Sequence, residues 1–441
     1  MLPEGTAETL RAPGRARRFR ASFPALRQRN FRLFVVGQGI SLVGYWMQSV
    51  AQGWLVFRLE GRPLDLSAVA VAGYLPILCL APFAGVVADR LPRRGVLLVT
   101  QSLLGLLALV LGVLVWTGAV TVPLVVLCAG GVGLVSALDV PTRQSFLVEM
   151  AGAEDLPNAI ALNSSIFNGA RLVGPALAGS LVAALGEAPC FFLNAASYGA
   201  VLVALARMRL PPSERPRPTQ ALGAGFLSGL GYVWGAPVLR NLLLLLGIVS
   251  GLGVQYNLLM PVFARTVLGT GAFGYGLLHT AGGIGAIAAA LQLAARRYSR
   301  AQHRRHLLLG LTTFALAVLG LAASRRLALA LVCQTLAGYG MVHYLATTNT
   351  LLQLVVEDGY RGRMMGLHTV MFLGTQPLGS VVLGALAQGF GAPRAALVSG
   401  SVSLAAAGWL GLRLRRVALR ERAAAGSADT TGAPRPGVSA G

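Results

Sequence analysis

Runs of about 18 to 28 mostly apolar residues, cut by Gly, Pro and small groups of arginine, set the pattern of this chain. As helices, such runs cross a hydrocarbon core of about 30 Å. Twelve are read: 31–57, 66–89, 95–116, 121–140, 158–185 and 189–208, then 239–264, 272–295, 306–323, 327–350, 363–389 and 393–412. The polar, Pro-rich stretch Leu210-Pro-Pro-Ser-Glu-Arg-Pro-Arg-Pro218 separates two sets of six. The predicted fold class is therefore an all-α membrane protein of twelve transmembrane helices in two six-helix bundles. Its parts are an Arg-rich tail (1–30), a first bundle (31–209), a linker (210–238), a second bundle (239–412) and a tail (413–441). The last tail is rich in Ala, Gly, Ser, Thr and Pro and reads as largely disordered.

Composition excludes a soluble globular protein: 55% of residues are hydrophobic and 12% charged, against roughly 25% charged in soluble domains. The net charge of +22 raises nucleic acid, and its distribution removes it. All 37 basic residues are arginine, and 30 fall in the tails and in alternate loops. The opposite loops hold six (Arg58, Arg62, Arg265, Arg325, Arg326 and Arg394), and Arg171 lies inside a span. This asymmetry predicts that both termini are cytoplasmic. The first span is too long for a signal-peptide core and reads as retained. Cys79, Cys128, Cys190 and Cys333 lie in apolar segments without paired spacing, so buried free thiols are expected. No nucleophile elbow, metal spacing or P-loop points to an enzyme, a metal or a cofactor.

The two halves are alike. At an offset of 205 residues, Leu162 falls on Leu367, Phe167 on Phe372, Gly169 on Gly374, Gly174 on Gly379, Gly179 on Gly384 and Gly186 on Gly391. A parallel repeat of six spans suits a transporter whose halves rock about a central site.

Between spans two and three, Gly85-Val-Val-Ala-Asp89-Arg90-Leu-Pro-Arg93-Arg94 packs a small residue, an acid and three cations into ten positions. Gly85 and Asp89 share one helix face, so a neighbour can approach closely where a carboxylate is presented. On the fifth span stands Gly169-Ala-Arg171-Leu-Val-Gly174-Pro175-Ala-Leu-Ala-Gly179. Together with the twelve spans, the first cluster resembles the loop motif of the major facilitator superfamily. The second is similar to that family's antiporter motif, with Ala178 where the fuller pattern has glycine. The stretches 155–171 and Arg361-Gly-Arg363-Met-Met-Gly366 resemble the branch of enterobactin exporters and macrolide-efflux proteins. The resemblance covers residues 28–415. It implies a secondary active exporter in the cell inner membrane, a functional monomer using proton antiport and alternating access, with a siderophore or a drug such as a macrolide as cargo. An importer or facilitator, and a non-transporting receptor of the same fold, are the alternatives.

The resemblance makes Gly85, Asp89, Arg90, Arg93, Arg94 and Asp139 a cytoplasmic gate, in which a carboxylate pairs with Arg93 or Arg94 and faces a helix N-terminus of the other half. A solvated interface charge is the plainer reading. Gln38, Ser41, Tyr45, Gln48 and Gln52 form a polar stripe on the first span, lining a cavity or packing on another helix. Arg171 lies about 20 Å along its helix, deep enough that it holds an anionic group or a structural partner. Asn163, Phe167, Tyr256, His368, Phe372 and Gln376 complete the expected substrate cavity, His368 and Gln376 being the repeat partners of Asn163 and Arg171. No acid lies at the centre of a span, which leaves Asp139, His279, His343 and His368 as proton-coupling candidates.

Overall fold

The computed structural model describes residues 24–209, 230–295 and 298–430, with side chains except those of 81–90, 151–154, 157, 300–301, 358 and 414–430. Among these residues there are twelve helices long and apolar enough to cross a membrane. They are α1 Arg29–Glu60, α2 Pro63–Arg90, α3 Arg93–Trp116, α4 Val122–Met150, α5 Asn158–Leu185 and α6 Ala188–Arg207. The second set is α7 Pro237–Val267, α8 Gly271–Ala294, α9 Arg300–Ala323, α10 Leu327–Val355, α11 Arg361–Phe390 and α12 Ala392–Thr430, of which the span ends at Arg413.

Each expected span is present, and the ends differ where local chemistry carries the helix further. Only Leu91 and Pro92 separate α2 from α3, so Arg90 closes one helix while Arg93 and Arg94 open the next. A proline preceding the first helical residue suits such an abrupt restart. Helical backbone also runs unbroken from Val122 to Leu185. A straight helix of that length would reach about 96 Å, but Arg93 pairs with Glu149 while Gln28 donates to Asp155. Both ends of the connection therefore sit at one face, and the chain reverses between Met150 and Asn158. Helix α12 continues to Thr430 where a disordered tail is expected, because its Ala, Leu, Arg and Glu residues are good helix formers. The 3-10 turn Pro24–Arg27 is docked rather than free: Ala25 is buried and its N–H donates to Asn158 Oδ1. The linker stretch 210–229 lies outside the described residues.

An even number of spans puts Arg29 and Arg413 at one face, called here the terminal face; the other is the distal face. The repeat is visible in close backbone approaches. A Cβ on Gly174 would meet Trp46 and Val43, and one on Gly379 would meet Gly251. Trp46 and Gly251 are 205 residues apart, as are Gly174 and Gly379. The rule extends across the halves: Gly179 of α5 sits on Ala272 and Gly276 of α8, while Gly384 of α11 sits on Ser67 of α2. Ser67 and Ala272 stand at the same offset.

The second half breaks in two places. Helix α7 passes through π segments at Val249–Gly253 and Phe263–Val267 and a 3-10 turn at Val254–Leu259. Ser399 of α12 donates to the Gly253 carbonyl at 2.7 Å, supplying a partner where the helical ladder is disturbed. Helix α11 is interrupted at Gly374–Thr375. Apolar periodicity alone gives no sign of either break.

Candidate functional site

From mid-depth to the distal face the halves are joined. Ser67 donates to the Ser380 carbonyl at 2.6 Å, and Trp54 stacks on Tyr275 with centroids 6.1 Å apart. Arg265 reaches from α7 to the Phe57 carbonyl at 3.4 Å and lies over the Phe57 ring. Toward the terminal face the halves part. Gly169 of α5 and Gly362 and Gly366 of α11 have nothing within 4 Å of where a Cβ would stand, and Ile160 and Phe167 of α5 are exposed. A cleft therefore opens on the terminal face and ends at mid-depth.

Arg171 stands at the end of that cleft. Its guanidinium lies 5.7 Å from the centroid of the Trp46 ring, which meets Phe167 edge-on on one side and Tyr45 on the other. Among the described residues it makes no hydrogen bond and has no carboxylate partner. It is close enough to interact electrostatically with Tyr256 on α7 and His279 on α8. The Nε1 of Trp46 and the Nε2 of His279 are buried without partners. A deep cation, an aromatic wall and two unpaired ring nitrogens make a site for an anionic group attached to an apolar body. The sequence singled out Arg171, Phe167, Tyr45, Tyr256 and His279 and missed Trp46. Its signal was Gly174, which packs directly on Trp46 as its repeat partner Gly379 packs on Gly251 in the second half.

The polar stripe of α1 divides. Tyr45 is 45% exposed, facing the cleft. Gln38, Ser41 and Gln48 are buried, and Asn194 Nδ2 donates to Gln48 Oε1 at 2.6 Å. Gly37 and Gly44 press α1 against Ala200 and Ser197 of α6, so this part of the stripe packs on α6 and does not line the cavity. In the second half, Gln376 is buried and its Nε2 donates back to the Phe372 carbonyl at 3.1 Å, bridging the break in α11. His368 stacks on Phe372 with centroids 6.3 Å apart, and Asn163 is half-buried on α5. Cys128, Cys190 and Cys333 are buried as expected, but Cys79 is exposed, since an apolar span keeps one face outside the protein core.

Of the expected gate, the side chains of Gly85, Asp89 and Arg90 lie outside the described residues. Arg93 pairs with Glu149 at 3.2 Å and Arg94 donates to the Ala206 carbonyl at 2.9 Å, both within the first half. Asp139 pairs with neither. It is 1% exposed, its Oδ1 accepts from Thr100 and Gln101, each at 2.8 Å, and its Oδ2 meets Arg143 at 2.8 Å. The reason is depth: Asp139 lies about three turns inside Met150, level with Gln101 and not with Arg93. Gly174, Pro175 and Gly179 serve packing, the last two against Gly276, while Gly169 borders the cleft.

Residues 20–439 match the model of a family described as transmembrane secretion effector. The chain belongs to that family, within the major facilitator superfamily. It is similar to the multidrug efflux pump Tap of Mycolicibacterium fortuitum, with 29% identity over 80% of this chain and 87% of that one. The staphyloferrin A transporter of Staphylococcus aureus is 26% identical over 84% of this chain and 92% of its own length. Among solved structures, the nucleoside transporter NupG superposes with a TM-score of 0.68 at 14% identity, covering 87% of this chain and 98% of that one. An inward-facing, occupied bacterial homologue of the human lysosomal transporter Spinster also gives 0.68 at 14% identity, over 87% of this chain and 96% of that one. Both neighbours have the major facilitator fold. This member of the superfamily is thus a multi-pass membrane transporter of small molecules and not an enzyme.

Proposed function

We propose that this protein is a secondary active exporter, driven by proton antiport, for a small amphipathic molecule that carries an anionic group on an apolar or aromatic body. The observation that carries the reading is Arg171, a deep guanidinium over Trp46 that has no carboxylate partner among the described residues. Burying an unpaired cation is costly, and a ligand carboxylate or catecholate gives it a bidentate partner. Siderophores, and drugs bearing such a group, fit this chemistry; a macrolide would use the apolar wall alone. The relatives named as efflux pumps and as a siderophore transporter support the class of cargo.

We read the arginine asymmetry as placing the terminal face on the cytoplasmic side. On that assignment the structure is inward-facing, and the separate bundles 31–209 and 239–412 close about the cleft to export. The cluster from Gly85 to Arg94 then acts as a lock engaged only in the opposite state, consistent with Arg93 and Arg94 holding partners in their own half here. A monomer suffices, because the site lies between the two halves of one chain.

The test is flux in proteoliposomes under an imposed pH gradient, with a carboxylate siderophore, a catecholate siderophore and a macrolide as probes. Siderophore export that stops when an ionophore collapses the gradient is the expected result. Export that persists removes antiport, and equal flux in both directions down the substrate gradient makes the protein a facilitator. Asp89→Asn should slow export while leaving membrane abundance unchanged; loss of the folded protein would make the cluster structural.

A further inference from the structure

The second half has no carboxylate in any of its spans. No Asp or Glu occurs between Glu214 and Glu357, and the only other acid before Glu421 is Asp358, beside Glu357 in the α10–α11 connection. The same half gathers three of the chain's five histidines on the terminal halves of α9 and α10. The His306 and His343 rings lie nearly parallel, 14° between planes and 5.6 Å between centroids. Tyr298 packs on His306 at 4.4 Å and on His303 at 5.8 Å, and Tyr339 packs on His343 at 4.6 Å. Gln292 of α8 ties the group together: its Oε1 accepts from the Tyr339 hydroxyl and lies 3.4 Å from His343 Nε2.

We propose that His306 and His343 form one proton-binding site, whose occupancy sets how the terminal face opens. This rests on the proton-driven reading above and names the group that carries the proton in the second half. Gln292 Oε1 is an acceptor, so it holds Nε2 of His343 in the hydrogen-bearing form and leaves Nδ1 to take the added proton. Two imidazoles this close do not both charge readily, so the pair holds at most one added proton. His343 is buried while His306 and His303 are half-buried, which gives the pair a route to solvent on the open face.

The surroundings fix the sign of the effect. On α9 itself the charged neighbours are Arg304 and Arg305; α8 contributes Gln292, and α10 contributes Tyr339. The loop from α8 adds Tyr298, and Arg296 and Arg297 lie outside the described residues. Helix α12 packs on α9 at Gly411 and Leu308 and carries Arg413, which is held over Trp409. A proton therefore enters a region whose described charges are all positive, and the charged form favours the more hydrated, open arrangement. Helix α8 transmits the change: it is seated on α10 through Gly282, Gly285 and Gly338, and it carries His279 and Gly283 against Arg171 and Leu172 of the substrate site.

Two measurements on the full chain in lipid nanodiscs test this without a substrate. Histidine-labelled protein should show His306 and His343 titrating as a coupled pair, and His306→Gln should leave His343 titrating as a single site. Nitroxides at Ile160 and Gly362, in different halves at the terminal face, should move apart as pH falls from about 8 to about 5. That shift should vanish in His306→Gln/His343→Gln and persist in His368→Gln. Independent titrations, a shift retained in the double variant, or no shift in the parent protein each overturn the site. Failure of the antiport reading is separate, because it is read from flux in proteoliposomes.

Discussion

Two pockets occupy equivalent places in the two halves and solve the same problem in opposite ways. Asp139 of α4 and Tyr344 of α10 are 205 residues apart, as are Gln101 of α3 and His306 of α9. In the first half the pocket holds a carboxylate whose charge is met on the spot by Thr100, Gln101 and Arg143. In the second, the carboxylate position is a buried tyrosine with an unpartnered hydroxyl, and His343 and His306 meet beside it. The first arrangement is a closed set of charges that resists change. The second holds two imidazoles in contact with no described carboxylate beside them, so its charge can change. A duplicated bundle has thus kept one copy of the pocket as a fixed anchor and made the other responsive.

The largest way to break this contrast is to open the anchor. Arg143→Met leaves Asp139 buried at 1% exposure without its cation. The expected loss is about 3 kcal/mol of stability, within the range for breaking one side of a buried pair. Thermal unfolding in detergent reads it, and Asp139→Asn/Arg143→Met should recover most of the loss. If Arg143→Met unfolds like the parent protein, Asp139 is free to titrate and the first pocket is not an anchor.

A second contrast lies at the substrate cleft, where Arg171 and Gln376 are also repeat partners. Arg171 projects over Trp46, whereas Gln376 bonds to its own helix. Arg171→Gln should weaken binding of a carboxylate siderophore about 30-fold, the value of one charge-assisted contact of about 2 kcal/mol. Gln376→Leu should change it far less. Thermal-shift titration with anionic and neutral probes separates the cases. Equal losses for both probes from Arg171→Gln would make the guanidinium structural.

The twelve spans, the repeat and Arg171 were legible because each is written in composition or spacing: long apolar runs, glycines at a constant offset, one cation far from any loop. The side on which a polar residue points was not. Gln48 and Tyr45 belong to one stripe by periodicity, yet Gly44 draws α1 onto α6 and buries Gln48 against Asn194 while Tyr45 stays exposed. The depth of Asp139 was misread for a related reason. Helix α4 runs on to Met150, so the carboxylate lies inside the bundle beside Gln101 and away from the gate arginines. The breaks of α7 and α11 depend on partners from distant helices, such as Ser399 on the Gly253 carbonyl, and no local signal marks them.

The smallest effect sharpens the comparison most. Gln292 joins α8 to α10 through Tyr339 and His343, as Gln101 joins α3 to Asp139 in the first half. Both are neutral amides, so by size and polarity the two should matter alike. They differ in what they hold: Gln101 donates to a charge already met by Arg143, while Gln292 orients a ring whose charge is changing. Gln101→Leu should cost about 1 kcal/mol of stability at every pH, with no change in the pH dependence of the Ile160–Gly362 distance. Gln292→Leu should cost a similar amount and also move the midpoint of that distance change, because Nε2 of His343 loses the acceptor that fixes its hydrogen. If both variants shift the midpoint equally, the two pockets titrate together and the division between anchor and responsive copy fails. If only Gln292→Leu does, the division holds at the level of a single hydrogen bond.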